Sequence, residues 1–479
     1  MDHHDNPVIG GWMALAGLVG VLLAGCGGPV AVEDPLATLR QTEVSSRQHF
    51  RAMEVLDARP DDGAYREALH RMIWRPGYTP AAREAAFDRL AVVDEEGLKQ
   101  TCRQHLPRLG AREWLERLCQ LITDRGWADL SPALVSSWAR PIGFIDDADR
   151  QEYQALVRLH GEENVVEVIF EILIESNQPY QQGLRSRCWE LLHRLGHRDQ
   201  LVDLLARHAV GADDPMLADL QAAAIELGII PRNHEEILWL RKLREPQRAE
   251  FWSQAAAIVP GLADSRRREL ELRDLPILVA ASFHDPWLLE ASKDDLYQRV
   301  SGHIHSSRLH IDADRFRGNP GTYAQRLREH RDALTWGDLA AMLLAVRAMQ
   351  VPEVVAHLFD YAERDREDRS CEYGGVLTLD RQGRFEILEF PPRFRRRDTE
   401  FIASQKMLDV AYTAAFHFHN HAQRHRNQQY AGPHIGDLNY ADNLRANCLV
   451  FTFVNQDTLN VDFYRHSRVI VDLGEIRRR

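Results

Sequence analysis

The chain has 479 residues, of which 44% are hydrophobic and 27% charged, a balance that fits a soluble globular protein with room for two to four domains. Its formal net charge of −12 at pH 7 argues against a general nucleic-acid binder, which needs a basic face. The six cysteines, Cys26, Cys102, Cys119, Cys188, Cys371 and Cys448, show no C-x-x-C spacing, which excludes a zinc ribbon and a thioredoxin-like motif, and those on apolar helix faces, such as Cys119, read as inert core residues.

Val8 to Cys26 is an uncharged apolar run ending in small residues, the shape of a secretory h-region and cleavage site. Its end, Leu23-Ala24-Gly25-Cys26, resembles the lipobox of bacterial lipoproteins. The resemblance implies a signal peptide over residues 1–25 and a lipid on Cys26, which becomes the first residue of the mature chain. It also implies anchoring in the cell envelope, since two acyl chains suffice for a stable anchor. Gly27 after the cysteine resembles lipoproteins sorted to the outer membrane, facing the periplasm. The segment Met1-Asp2-His3-His4-Asp5 departs from the pattern in lacking Lys and Arg.

Residues 26–35 read as a Gly/Pro tether and 36–368 as a long helical region. In 80–93, 111–122 and 184–195 apolar residues recur three or four apart, the mark of helices with one buried face. Gly110, Gly126, Gly161, Gly196 and Gly228 fall where helices should end, and Pro80, Pro132 and Pro215 near starts. The units are helix pairs of roughly 30 to 40 residues without a strict consensus, which predicts a degenerate HEAT- or TPR-like α-solenoid or an irregular helical array. Such an array offers a surface to a protein partner and carries no chemistry of its own. The histidines at 303, 305 and 310, with Asp312, are no more than chance supplies in a chain with 22 histidines, and are not read as a metal site.

From about residue 369 the pattern changes. Segments 371–379, 384–390, 412–419, 448–454, 460–464 and 469–473 are rich in β-branched and aromatic residues and read as strands, with helices at about 398–410 and 437–447. The result is an α+β sheet domain over 369–479. Within it, His417, His419 and His421 stand at every second position, so on a strand all three imidazoles face one way. Two neutral imidazoles on a rigid strand can supply two ligands to zinc. The basic run Arg393 to Arg397 reads as a solvated face.

The domain resembles the JAB/MPN/JAMM metallopeptidases over about the last quarter of the chain. Glu372-Tyr373-Gly374-Gly375-Val376-Leu377 matches the glutamate-bearing first strand, E-x-x-G-x-L. His417-Phe418-His419 matches the H-x-H strand, 45 positions after Glu372, and Asp437 matches the aspartate that opens the next helix. The resemblance implies zinc held by His417, His419 and Asp437, a water in the fourth position, and Glu372 as general base in the cleavage of a peptide or isopeptide bond of a protein substrate. His434 stands where the family has serine, and could donate the oxyanion hydrogen bond in its place. The interval from His419 to Asp437 is longer than usual, Asn420 replaces a proline, and His419-Asn420-His421 could serve as the pair instead. His421 and His425 otherwise read as loop or rim residues. The alternative function is a non-catalytic binding lipoprotein with a degenerate site.

Overall fold

The structure is a computed structural model and describes residues 33–140, 142, 145–208, 214–310, 325–395, 397 and 400–478. The expected signal peptide, Cys26 and most of the tether lie outside the described residues, as does Asp312. The chain is mostly α and then α+β. Compactness divides it after Leu115. The first unit contains five helices among its described residues, Pro35–Arg40, Ser46–Leu56, Gly63–Trp74, Pro80–Val93 and Glu95–His105, and the start of a sixth, Arg112–Asp124. Each of the five begins at a residue whose side-chain oxygen accepts a first-turn N–H: Asp34, Ser45, Asp62, Thr79 and Asp94. Their apolar stripes, among them Met53, Leu69, Met72, Phe87 and Leu90, are buried.

The second unit, Glu116–Arg479, holds the remaining helices and the sheet together. Residues 368/369, the expected domain boundary, mark a change from helix to strand and not a break in compactness. The reason is that the helices grip the sheet directly. Tyr361, on the helix Pro352–Glu367, donates to the Gly374 carbonyl at 2.8 Å. Trp239, on the helix His234–Leu243, donates to the Tyr412 carbonyl at 2.8 Å. Helix ends at Gly161, Gly196 and Gly228 take the positive φ that stops a helix cleanly. Among the described residues no single helix is long and apolar enough to cross a membrane.

The sheet has six strands: β1 Gly374–Leu379, β2 Phe385–Phe390, β3 Phe416–His421, β4 Cys448–Asn455, β5 Thr458–Arg465 and β6 Val469–Arg477. Their order is β2-β1-β3-β4-β5-β6. All neighbours are antiparallel except β3 and β4, which are parallel and joined through the helix Ile435–Leu444. A parallel pair needs such a crossover. β4 and β5 are buried almost throughout, which explains why β4 reads C-L-V-F-T-F-V, apolar but for Thr452. Gly375 lets three strands approach closely: a Cβ there would collide with the Leu388 carbonyl and press on the Phe418 ring.

Several element boundaries differ from expectation, among them β1, which starts at Gly374, and β6, which runs on to Arg477; three lie near the histidines. β3 begins later and runs on to His421, because 412–415 form the turn that closes the helix Gln405–Ala411. That helix starts only at Gln405, where Ser404 caps it by accepting from Met407 N–H at 3.3 Å; Phe401 to Ser404 lie along the sheet as irregular chain. The last helix spans Ile435–Leu444 and ends at Arg445, which takes φ of 53°.

Candidate metal centre

Register brings the site together. On the β1–β3 pair Gly374 lies opposite His419, and Asn420 N–H donates to the Tyr373 carbonyl at 2.9 Å. Continuing that antiparallel register by two residues sets Glu372 level with His421. The crossover helix then starts beyond the C-terminal end of β3, so Asp437, in its first turn, reaches back over the same strand end. This is where ligands gather in sheets with parallel crossovers, and the helix N-terminus favours a carboxylate.

The side chains converge accordingly. His419 Nε2 and His421 Nε2 are 3.2 Å apart. Asp437 places one carboxylate oxygen 3.4 Å from His419 Nε2 and the other 3.9 Å from His421 Nε2. Glu372 Oε1 is 3.9 Å from His421 Nε2. A tetrahedral ion with bonds of about 2.0–2.2 Å sets its ligand atoms about 3.3–3.6 Å apart. The His419–His421 and His419–Asp437 separations lie close to that spacing, while the contacts of His421 with Asp437 and Glu372 are a few tenths of an ångström longer, and the donor set of imidazole and carboxylate suits a divalent ion. Two groups, Glu372 with His419 and His421, and His421 with His434 and Asp437, each keep their ligand atoms within 4.8 Å of one another. These buried Glu/His/Asp groups can hold a metal ion.

Surrounding groups orient the donors. His421 Nδ1 donates to the Tyr430 carbonyl at 2.7 Å, which leaves Nε2 with its lone pair toward the cluster. The Tyr464 hydroxyl lies 3.5 Å from His419 Nδ1, the far side of that ring. Gln423 donates its amide to Glu372 Oε1 at 2.9 Å, and Asn427 in turn donates to Gln423 Oε1 at 2.7 Å and to the His421 carbonyl. Asp437 Oδ2 accepts the His434 backbone N–H at 2.6 Å, fixing the carboxylate across the helix start.

Electrostatics within the cluster favour positive charge. Burial works to raise the Asp437 carboxyl, but His419, His421 and the His434 N–H outweigh it and hold the group well below the usual carboxylate range. Burial works to lower His419, yet Asp437 and Glu372 raise it above its ordinary value. Glu372, His419 and His421 are 3%, 4% and 1% exposed, and the Asp437 side chain 21%. Glu372, His419, His434 and Asp437 line a cleft of about 640 Å³, as does His417, and its apolar walls include Phe401, Met407, Leu408 and Ile435.

Of the residues picked out in the sequence, the structure brings Glu372, His419, His434 and Asp437 together. His417 stands apart. It lies two residues further back on β3, a step of about 6.6 Å along a strand, and its Nδ1 is 2.8 Å from the Tyr440 hydroxyl. Burial pushes it down to about 4, and it belongs to neither ligand group. His421, read from the sequence as a loop or rim residue, sits instead on β3 and belongs to both groups. The second pairing, His419-Asn420-His421, is therefore the one whose atoms meet. His425 pairs with Glu363 at 3.0 Å, away from the cluster. His303 lines a separate cleft, while His310 pairs with Glu475 at 2.8 Å; neither is in a ligand group.

Sequence reading missed Gln423, Asn427, Tyr430 and Tyr464. The first three lie in what looked like an inserted loop, and only their contacts give them a role. Tyr464 is 45 residues from His419 and reaches it through β4 and β5. No family model, no curated protein and no solved structure matches the chain.

Proposed function

We propose that the chain is a zinc-dependent hydrolase of peptide or isopeptide bonds, similar in plan to the JAB/MPN/JAMM metallopeptidases. The carrying observation is the convergence of His419 Nε2, His421 Nε2 and the Asp437 carboxylate at 3.2, 3.4 and 3.9 Å, with a buried glutamate beside them and a cleft that His419 and Asp437 line.

In this reading His419, His421 and Asp437 hold the ion. Zinc there would polarise a carbonyl and bring the pKa of a bound water toward about 7. Glu372 is the proton carrier: it takes the proton of the attacking water and hands it to the leaving amine. Its bond from Gln423 keeps one oxygen fixed while the carboxylate faces His421. Phe401, Met407, Leu408 and Ile435 give an extended peptide apolar purchase along the cleft. The helical region selects or positions the protein substrate, and a lipid on Cys26 holds the enzyme at the envelope, facing the periplasm.

The test uses the purified mature chain. Wild type is expected to hold one equivalent of zinc, Asp437→Ala to hold none, and Glu372→Gln to keep the metal while losing hydrolysis of a peptide library. Absence of stoichiometric metal in wild type at neutral pH would sink this reading. A second reading, a metal-binding lipoprotein that does no hydrolysis, is favoured by one observation: a third imidazole, His434, stands where the resemblance calls for a serine hydroxyl.

A further inference from the structure

We infer that His434 is a fourth, exchangeable protein ligand of the metal, and not a hydrogen-bond donor to an oxyanion. The inference rests on the metal reading given above. Its ligand atom lies within 4.8 Å of those of His421 and Asp437, the two residues through which the strand pair and the helix start meet. The His434 ring packs on the His421 ring with centroids 4.9 Å apart and planes tilted by 53°. Its backbone is anchored at the same point, because its N–H holds Asp437 Oδ2 at 2.6 Å.

Position strengthens the assignment. His434 is the N-cap of the helix Ile435–Leu444, a place where Ser, Thr, Asp or Asn serves local stability best. A histidine there forgoes part of that stabilisation and gains an imidazole aimed at two other ligands. With His419, which lies 3.2 Å from His421 Nε2 and 3.4 Å from the Asp437 carboxylate, these residues offer three imidazoles and one carboxylate.

The consequence concerns the open position. Zinc with four protein ligands is closed, whereas a hydrolytic site keeps one position for water or substrate. His419 and His421 are held by the buried strand β3, but His434 is only partly buried and sits at the edge of the cleft, on the loop end of a helix. It is the ligand that can leave. With an ion bound, His434 would close the site at rest and would give its place to a substrate carbonyl or a small anion.

The experiment is a metal titration of the mature full-length chain in wild type, His434→Ala and His434→Ser, with zinc for affinity and cobalt for the visible spectrum. The serine variant retains a good N-cap, so a loss of binding shared by both variants is not a loss of folding; thermal unfolding of the metal-free proteins checks this. Zinc affinity is expected to fall by about 10–100-fold or more in both variants. Their cobalt spectra should shift to a coordination that responds to added azide at lower concentration than wild type does. Equal affinities and superimposable cobalt spectra in all three proteins would overturn the role of His434 while leaving the metal site intact. No metal uptake by wild type would overturn both.

Discussion

Two clusters of buried charge lie in the same compact unit and are built on opposite principles. In the first, Arg273 donates to Asp338, Glu271 and Asn447, each at 2.7 Å, and Arg465 donates to both oxygens of Asp338 at 2.8 and 3.0 Å. Arg445 reaches Glu236 and Glu271 at 2.9 and 2.8 Å, and His466 Nε2 meets Glu271 at 2.7 Å. Every carboxylate there has a guanidinium beside it, so the charge is balanced by the chain itself. In the second, Asp437 and Glu372 face imidazoles, whose charge can be exchanged for that of a metal. Arginine cannot give up its proton and closes a network permanently; histidine can, and leaves a lone pair for a cation. The first cluster fastens the helices to the sheet, and the second is equipped to bind.

The first cluster is weakened most at Asp338, which is fully buried between two arginines. Asp338→Ala should cost about 3–5 kcal/mol by taking the carboxylate from Arg465 and leaving Arg273 to Glu271, and should leave metal stoichiometry of the folded fraction unchanged. Denaturant unfolding followed by metal analysis reads both. Loss of metal at constant stability would mean the clusters are not separate.

Next in size is stabilisation by the ion. Zinc at 100 times its Kd should stabilise wild type by about 2.7 kcal/mol, and His421→Ala should abolish that increment in a thermal shift assay. A variant that kept the full shift would remove His421 from the ligand set.

A third contrast is in acid. Burial, together with Arg273 and Arg445, outweighs Glu271 and pushes His466 down to about 4. Between pH 4 and its ordinary 6.5 the unfolded chain then binds a proton that the folded chain does not, so stability falls as pH falls through that window. Each such proton is worth about 1.4 kcal/mol per pH unit. Asp274, raised to about 7 by burial, works in the opposite sense, its contribution being lost as pH rises. The difference between wild type and His466→Gln isolates the histidine: the variant should lose less stability on acidification, measured by unfolding at pH 7, 6, 5 and 4. Parallel curves would assign the acid response elsewhere.

The smallest expected effect is at Tyr464. Tyr464→Phe keeps the ring and removes the hydroxyl 3.5 Å from His419 Nδ1. Zinc affinity should fall by about tenfold, the lower end for a group that orients a ligand, with the fold intact. Competition against a chromophoric chelator measures it, and an unchanged Kd would limit the orienting contacts to the Tyr430 carbonyl.

Much of this was legible in the chain. The helical periodicity of 80–93 and 111–122, the capping residues, and the turn from helix to strand near residue 370 are local signals, and the structure follows them. So are the three histidines at alternate positions, because a strand's two-residue period fixes which side chains share a face. Glu372 and Asp437 were also visible as residues. What the sequence left open was which two histidines act together and what the loop after them does. Strand ends carry only weak signals, and β3 stops two residues later than its apolar residues suggest.

The amino-acid sequence by itself determined the order of elements and the residue types that can bind a metal, since propensity, periodicity and side-chain chemistry are properties of short segments. Tertiary structure alone decided the ligand register. Glu372 becomes level with His421, 49 positions along the chain, and not with His417, through an antiparallel pairing, and Asp437 arrives over His419 through a parallel crossover. Such non-local pairing is set by the packing of the whole sheet against its helices, which no segment of the chain encodes alone.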